Sequence, residues 1–389
     1  MTVNRRRVAG GDDTFMTVDH LTVSGSQQEI GRALAAEAAT AYGWQPMPVQ
    51  NRDIGRARRA WFQSHWPEHH ERMVGAAQFV GADLAADEVH LDGWAGIPQG
   101  SGCSVLWSPP DPATGEHGLA GRNYDFFTTS ATELAMLLAG APVPESLDEA
   151  PMSSRPYLIT CLPDDGLASS FITMNDLSGC MDGINEAGLM ITLLIADAEN
   201  ATGPDEALQP QVGVESTQLL RYVLDRCTTV EEAKAAMLGA KSYDLGPGLH
   251  YLVADADGRA FVWERSQHFQ EHVIDADGAM CVTNHPLHRH PMGSPLPQDN
   301  PETMRTYARS TALQQHAGDD RAMTPERMRA GLDDVRFTAD NGDGYPIRTL
   351  WRTVFDVTAK TMSVHFYLGD DADGQPRYSP ELTVSAVRD

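Results

Sequence analysis

The sequence predicts an α+β protein in which antiparallel sheets are covered by helices. Helical patterns dominate before residue 102, and short apolar or alternating segments bounded by Pro, Gly and Asp, which are typical of strands, follow from residue 103. Later segments return to helices and then to strands, without the regular alternation that produces a doubly wound parallel sheet. This order favours antiparallel sheets packed against helices.

The first hundred residues are predicted to be mainly helical after a polar N-terminus. Residues 1–15 are polar and are expected to be disordered. Ser26 and Glu29 have the spacing of a capping box, which predicts a helix over 27–43. Apolar residues at helical spacing predict a second helical region over 53–89.

The chain after residue 103 is predicted to form groups of strands and groups of helices. The composition of Asp182–Gly188 indicates a tight turn between two strands. Residues 139–155 are rich in Pro, Ala and acidic residues and are expected to form a flap over a site. The predicted strands are 104–107, 119–126, 157–161, 169–175, 189–196, 250–254, 260–265, 279–282, 349–356 and 361–368. The predicted helices are 215–226, 229–238, 303–316 and 325–332.

Composition and charge limit the class of partner. The chain has 389 residues, of which 41% are hydrophobic and 21% are charged, as in a soluble globular protein. Its formal net charge of −25 argues against nucleic acid and anionic membranes as partners, because both would repel it. The same charge disfavours bulky anionic substrates unless the pocket is locally basic.

The cysteines and the N-terminus predict a cytoplasmic protein. Five cysteines are scattered without a CxxC pair, which favours neither a disulfide framework nor a zinc site. Arg5-Arg6-Arg7 is followed by Gly and Asp residues where a signal peptide needs an apolar run. No stretch is long and apolar enough to predict a membrane span.

Cys103 is the candidate nucleophile. It follows Gly102, whose missing side chain allows close approach to the preceding carbonyl. If the thiol attacked the Gly102 carbonyl, an N-to-S acyl shift and hydrolysis would make Cys103 a new N-terminus. The freed α-amine has an ordinary pKa of about 7.7–8.0 and would serve as the base for the thiol. The alternative is a small buried cysteine in a strand.

The segments around Cys103 carry a family resemblance. Gly102-Cys103-Ser104 followed by Gly121-Arg-Asn-Tyr-Asp-Phe126 resembles the isopenicillin-N acyltransferase-like (acyl-coenzyme A:6-aminopenicillanic-acid acyltransferase) family of N-terminal-nucleophile (Ntn) hydrolases, relatives of the choloylglycine hydrolases. The resemblance runs from about residue 25 to about residue 368. It implies the Ntn-hydrolase fold, a four-layer αββα sandwich of antiparallel sheets. It also implies a helical pro-segment, or α-chain, of residues 1–102 and a catalytic β-chain of residues 103–389.

Arg122 and Asp125 are the first candidate partners of Cys103. The resemblance implies that the Asp holds the α-amine of the processed cysteine and that the Arg lowers the thiol pKa. Residues three apart on a strand face opposite sides, which is difficult to reconcile with a shared site unless the strand twists or ends between them. The alternative for the two residues is a surface ion pair.

Asn284 and Arg305 complete the candidate site. Asn284, in Thr-Asn-x-Pro, matches the oxyanion asparagine of the family, and the alternative is a turn asparagine. Arg305 falls where relatives carry a helix-borne arginine; Arg309 competes for this role, and a solvated helix arginine is the alternative. Relatives carry a second oxyanion asparagine where this chain has 193–195, Leu-Leu-Ile, which suggests a backbone N–H donor instead.

No metal or cofactor is predicted. His285, His288 and His290 form a cluster that could bind a metal, but they lack a nearby Cys or paired acid, so a solvated loop is favoured. Residues 340–344 resemble half of a calcium loop without the Glu at its twelfth position. There is no phosphate-loop motif.

The sequence therefore predicts a self-processing cysteine amidohydrolase or acyltransferase. Its partners would be a small-molecule amide or acyl donor, acyl-coenzyme A among them, and the two processed chains would stay packed together. One alternative is an uncleaved, non-catalytic binding protein with the same fold. A metal-dependent hydrolase using the histidines of 285–290 is a weaker one.

Overall fold

Two large sheets form the centre of the computed structural model. The model describes residues 1–92, 102–144, 147–174, 177–196, 210–243, 248–265, 270–318, 321–342 and 344–387. The strands are β1 (Thr2–Ala9), β2 (Val18–Gly25), β3 (Met47–Pro48), β4 (Val89–His90), β5 (Gly102–Ser108), β6 (Leu119–Phe127), β7 (Tyr157–Pro163), β8 (Ser169–Thr173), β9 (Asp182–Asn185), β10 (Met190–Ile195), β11 (Leu249–Ala254), β12 (Ala260–Arg265), β13 (Glu271–Asp275), β14 (Met280–Val282), β15 (Ile347–Asp356), β16 (Thr361–Asp370), β17 (Pro376–Tyr378) and β18 (Leu382–Ser385). The helices are α1 (Gln27–Tyr42), α2 (Arg52–His65), α3 (Pro67–Val80), α4 (Ala131–Leu138), α5 (Gln218–Arg226), α6 (Val230–Gly239), α7 (Thr306–Ala317) and α8 (Pro325–Asp334).

The two sheets stack face to face between helices. The nine-stranded sheet has the order β1-β2-β7-β8-β9-β10-β11-β12-β13, and the seven-stranded sheet has the order β14-β5-β6-β15-β16-β17, with β18 paired to β16. Helices α1, α5 and α6 contact the first sheet, helices α7 and α8 contact the second, and β10 contacts β5 between them. The predicted α+β class and its αββα layering are confirmed.

One pairing departs from the predicted antiparallel pattern. Strands β2 and β7 are parallel, with Asp19–Gly25 aligned to Tyr157–Pro163. The connection between them is long and contains helices α1 to α4 and strands β3 to β6, so it provides the crossover that a parallel pair requires. The nine-stranded sheet is therefore mixed.

The N-terminal segment contributes strands as well as helices. The capping box of Ser26 and Glu29 starts α1, as predicted, and the predicted region 53–89 divides into α2 and α3, where Pro67 begins the second helix. The expectation that residues 1–15 are disordered is wrong, because Thr2–Ala9 pairs with β2. A purely helical description of residues 1–102 is likewise incomplete.

Several of the missed strands are edge or terminal strands, whereas the missed β2 lies inside the nine-stranded sheet. β1 is an edge strand with mostly exposed side chains, and Arg5 and Arg7 form ion pairs with Asp19 on β2. β13, at the opposite edge, alternates between exposed and half-buried residues. Strands with little buried surface lack the apolar pattern on which prediction depends, so their backbone pairing was not visible in the sequence.

The turn predicted over Asp182–Gly188 is confirmed only at its end: Asn185 to Gly188 forms the turn, whereas Asp182–Asn185 is the strand β9. Strands β9 and β10 pair directly, and Gly188 has a positive φ of 88°. The side chain of Asn185 accepts hydrogen bonds from the N–H groups of Ala187 and Leu189 and closes the turn.

Within the described residues, no helix has the length and hydropathy needed to cross a membrane.

Candidate active site

Cys103 lies in the second strand of the seven-stranded sheet, facing the other sheet. Strands β5 and β6 pair antiparallel, and this register places Cys103 opposite Tyr124 and Gly102 opposite Asp125. Cys103 is 1% exposed. Because side chains alternate along a strand, Arg122 and Tyr124 share the face of Cys103, and Asp125 lies on the other face.

Arg122 contacts the thiol directly. Its Nη2 lies 3.4 Å from Cys103 Sγ and donates to the carbonyl oxygen of Leu193 at 2.6 Å. Its Nη1 donates to Asp182 Oδ2 at 2.6 Å. Arg122 is fully buried, so the surface ion pair considered as an alternative is wrong.

Asp125 lies on the opposite face, at the Gly102 position. Its Oδ1 accepts a hydrogen bond from Thr349 Oγ1 at 2.5 Å, whereas its Oδ2 is buried with no hydrogen-bond partner in the described part of the chain. Burial raises the pKa of Asp125 to about 6, although the positive charge of Arg309 acts in the opposite direction. An unpartnered carboxylate oxygen therefore lies beside the bond that precedes Cys103.

The glycine before Cys103 is required by close packing. A Cβ on Gly102 would lie 2.9 Å from the ring of Phe337 and 3.2 Å from Cβ of Asp125. Its φ is not among the positive values of the chain, so a left-handed backbone is not the reason for glycine here. The crowding leaves room for the backbone alone.

Asn284 and Arg309 hold the backbone of Cys103. Asn284 Oδ1 accepts the N–H of Cys103 at 2.9 Å, and its Nδ2 donates to the carbonyl oxygen of Ile195 at 2.7 Å. Arg309 Nη1 donates to the carbonyl oxygen of Cys103 at 2.5 Å and to Ser104 Oγ at 2.9 Å. Arg309 Nη2 donates to Asn284 Oδ1 at 2.6 Å.

Arg305, the arginine first assigned to the site, lies beside this network. Its guanidinium is 5.6 Å from the ring of Phe337, which Arg309 also approaches, at 5.3 Å. No hydrogen bond to Cys103 is found for Arg305 among the described contacts. Helix α7 begins directly after Arg305, so the arginine one turn further along, Arg309, projects onto β5. Only the orientation of α7 decides that Arg309, and not Arg305, reaches Cys103.

The thiol is protonated in the intact chain. Burial raises the pKa of Cys103 above its usual value of 9.0, and the nearby Arg122 acts in the opposite direction without offsetting it. Arg122 therefore has the pKa effect implied by the family resemblance, but desolvation outweighs it. A base is needed to form the thiolate.

Three buried neighbours of this site were not identified as site residues from the sequence. Asp182 was assigned to a turn, and Thr349 and Trp351 were assigned only to a strand. All three are buried: Asp182 accepts a hydrogen bond from Arg122, Thr349 donates to Asp125, and Trp351 donates to Asp182. A carboxylate in the otherwise apolar segment Met181–Ile184 was the one available clue, because buried charges require a partner.

A cavity of about 950 Å³ lies next to Tyr124. Part of its wall is the segment Glu149–Arg155, which belongs to the predicted flap 139–155. Most large side chains in the wall are aromatic or contain sulfur: Tyr42, Trp44, Met47, Tyr124, Phe126, Met152, Met174 and Met181. Tyr124, the cross-strand partner of Cys103, is therefore part of the cavity wall.

The histidine segment is packed into the protein. His285 is 1% exposed and shares hydrogen bonds with Thr283 and Thr306, and His288 bonds to Glu264 at 2.8 Å. The expected solvated loop is therefore wrong for His285, which packs against Thr306 and Tyr307 of α7, whereas His288 and His290 are half-buried. Among the described residues no cluster of three metal-binding side chains is found.

Comparison with known proteins identifies the family. No curated protein matches the chain. Three similar solved structures are a mutant of conjugated bile acid hydrolase from Clostridium perfringens, penicillin V acylase from Agrobacterium tumefaciens, and an N-acylethanolamine-hydrolyzing acid amidase ortholog from Caenorhabditis elegans. Their identities are 15%, 18% and 15%, with TM-scores of 0.42, 0.40 and 0.38. The alignments cover 72%, 71% and 72% of this chain and 96%, 84% and 100% of the other chains.

A family model gives the decisive match. The model of the acyl-coenzyme A:6-aminopenicillanic acid acyl-transferase family matches residues 113–371, well over half of the chain. This segment begins after Cys103 and includes Arg122, Asp125, Asn284 and Arg309. The match bears out the family predicted from the residues around Cys103. The chain therefore belongs to the acyl-coenzyme A:6-aminopenicillanic acid acyl-transferase family.

Proposed function

We propose that this protein cuts its own chain between Gly102 and Cys103 and then acts as a cysteine amide hydrolase or acyltransferase. The observation that carries the proposal is the set of contacts around one residue. Arg122 reaches the Cys103 thiol, Asn284 holds the Cys103 N–H, and Arg309 holds the Cys103 carbonyl. A structural cysteine in a strand does not need side-chain partners on its thiol, its N–H and its carbonyl.

This geometry supports the following self-cleavage step. Cys103 Sγ attacks the carbonyl carbon of Gly102, and the bond from that carbon to Cys103 N breaks as the nitrogen takes up the thiol proton. Water then hydrolyses the thioester, which leaves a Gly102 carboxylate and restores the thiol. Asp125 Oδ2, buried beside Gly102 without a described partner, is suited to accept a hydrogen bond from the new α-amine of Cys103.

The second reaction uses the new N-terminus. The α-amine takes the thiol proton, and the thiolate attacks the carbonyl of an amide or acyl donor to form an acyl-thioester. Water or an amine then accepts the acyl group. Asn284 Nδ2, which contacts the Ile195 carbonyl in the intact chain, is the side-chain donor available to the oxyanion. The aromatic and Met-rich cavity beside Tyr124 favours an apolar acyl group.

The two pieces are expected to remain together after cleavage. Strand β2, in the first piece, pairs with β7 in the second along seven residue pairs. Buried Arg58 donates to the carbonyl oxygen of Gly213 at 2.7 Å, and Arg72 forms a buried ion pair with Asp225. A continuous sheet and buried ionic contacts therefore join residues 1–102 to residues 103–389.

Intact-protein mass spectrometry and denaturing electrophoresis test the proposal. Wild-type protein is expected to give pieces 1–102 and 103–389, whereas Cys103→Ala gives one whole chain. Freshly purified wild type is then incubated with penicillin V, and separately with 6-aminopenicillanic acid and an acyl-coenzyme A that carries an apolar acyl group. Hydrolysis or transfer is expected from wild type and not from Cys103→Ala. A wild-type chain that stays whole, with an unreactive Cys103, would instead support a non-catalytic binding protein.

A further inference from the structure

Asp182 is a buried carboxylate whose partners come from both sheets. It lies on β9 and is fully buried. Its Oδ2 accepts hydrogen bonds from Arg122 Nη1 at 2.6 Å and from Trp351 Nε1 at 2.7 Å, both in the seven-stranded sheet. Its Oδ1 accepts a hydrogen bond from Thr192 Oγ1 on the neighbouring strand β10. Both carboxylate oxygens are therefore occupied.

These contacts fix the direction of the Arg122 guanidinium. The group is planar, so holding Nη1 on Asp182 and Nη2 on the Leu193 carbonyl oxygen leaves it little freedom to rotate. In this orientation the same Nη2 lies 3.4 Å from Cys103 Sγ. Asp182 itself makes no described hydrogen bond to Cys103.

Asp182 also supports the other neighbour of the thiol. The indole of Trp351, which donates to Asp182, stacks on the ring of Tyr124 with centroids 3.7 Å apart and planes 7° from parallel. Tyr124 is the cross-strand partner of Cys103. Asp182 thus contacts Arg122 directly and supports Tyr124 through Trp351.

We propose that Asp182 is a positioning residue, which orients Arg122 toward the Cys103 thiol and so promotes both self-cleavage and acyl transfer. The inference rests on the proposed function of Cys103. The titratable or charged groups around the thiol are Arg122, Tyr124 and Asp125 on β6, Arg309 on α7 and Asp182 on β9. Of these, Asp182 acts on the thiol indirectly, because it contacts Arg122 and Arg122 contacts the thiol.

The test is Asp182→Asn, which preserves the shape of the side chain. An amide has one acceptor oxygen, so its NH₂ group must face one of the former donors, and the charge-assisted bond to Arg122 is lost. Self-cleavage is expected to slow by about tenfold to a hundredfold, the size of effect that a small misplacement produces. Iodoacetamide labelling of Cys103, followed by peptide mass spectrometry across pH, is expected to show its half-maximal rate at a higher pH than wild type.

Asp225→Asn is the matched control. Asp225 is also buried and also accepts from a tryptophan, Trp66 Nε1 at 2.9 Å, and from an arginine, Arg72. It does not contact Cys103, Arg122 or Asp182. Its substitution is expected to cost stability to a similar extent while the labelling profile of Cys103 stays that of wild type.

A double-variant comparison separates positioning from general damage. In an Arg122→Met background, adding Asp182→Asn is expected to cause no further change in the labelling profile. If Asp182→Asn does not fold, Thr192→Val, which removes one hydrogen bond from Asp182, is expected to give a smaller shift in the same direction. The inference is overturned if a folded variant keeps the wild-type profile, if the profile moves to lower pH, or if the shift persists without Arg122.

These results can be separated from failure of the proposed function. A wild-type chain that does not cut itself refutes the proposed function directly. Labelling is measured on cut or uncut chains alike, so the comparison among variants still decides whether Asp182 acts on the thiol through Arg122.

Discussion

Arg122 and Asp125 lie three residues apart on β6 and project from opposite faces of the seven-stranded sheet. Arg122 points between the sheets to the Cys103 thiol and to Asp182. Asp125 points toward the helical layer, where it lies beside Gly102 and Thr349. Arg122 thus lies beside the thiol and Asp125 beside the proposed cleavage bond, on opposite faces of one strand pair, which resolves the difficulty posed by their spacing.

The raised pKa of Asp125 makes stability depend on pH. Its folded value of about 6 is above its usual 3.8, so folding favours the protonated acid, and stability falls as pH rises from about 4 through 6. An Asn at position 125 does not titrate, so the Asp125→Asn variant does not lose stability in this way. Both chains carry Cys103→Ala, which keeps them whole. The free energy of unfolding of the variant, relative to that of its parent, is expected to be about 2 kcal/mol more favourable at pH 7.5 than at pH 4.5. Urea unfolding at both pH values measures the difference, and a difference independent of pH contradicts the assignment.

Arg309 is expected to matter more than Arg305. Arg309→Met removes the donors to the Cys103 carbonyl, Ser104 and Asn284, so self-cleavage is expected to slow by about a hundredfold or more. Arg305→Met is the matched control and is expected to retain most of the rate. Time courses on denaturing gels measure both, with thermal melting to confirm folding. Equal rates for the two variants would remove Arg309 from the site.

Asn284→Ala tests the oxyanion role. Loss of its amide is expected to lower turnover by about a hundredfold to a thousandfold. Asn185→Ala is a suitable control, because Asn185 is also buried and donates to the carbonyl oxygens of Leu224 and Cys227, far along the chain from Cys103. The control should lower stability without a comparable loss in the rate per folded molecule. Unchanged turnover in Asn284→Ala returns Asn284 to a structural role.

Gly102→Ala should impair processing by crowding. The added Cβ would meet the ring of Phe337 at 2.9 Å, so the backbone at the bond to be cut must shift. Self-cleavage is expected to slow by about tenfold or more. Phe337→Leu, which makes space, is expected to restore part of the rate when combined with Gly102→Ala. A Gly102→Ala chain that cuts itself at the wild-type rate would contradict this account.

The cavity can be tested separately from processing. Ala150 lies in its wall and is exposed, so Ala150→Trp adds bulk at the rim. The variant is expected to cut itself normally and to show a raised KM for acyl donors with large apolar groups. Ala113→Trp, at another exposed position, is the control. A KM unchanged for large and small acyl groups would place substrate binding elsewhere.

Much of the fold and part of the site followed from local sequence. The capping box at Ser26, the hairpin at Asp182–Gly188 and the buried strands around Cys103 each depend on neighbouring residues, so their patterns were visible directly. The residues Cys103, Arg122 and Asp125 were identified in the same way. Edge strands such as β1 were missed, because most of their side chains are exposed and carry no apolar period.

The sequence by itself determined the family and predicted Cys103 as the nucleophile with Arg122 and Asp125 beside it, because these residues lie in short segments whose order is fixed by the chain. Only the tertiary structure decided which arginine of α7 reaches Cys103, why Gly102 must lack a side chain, and that Asp182 holds Arg122. Each of these depends on contacts between residues far apart in sequence, some more than two hundred positions apart. Such contacts are set by how helices and sheets pack, and no local pattern records that packing.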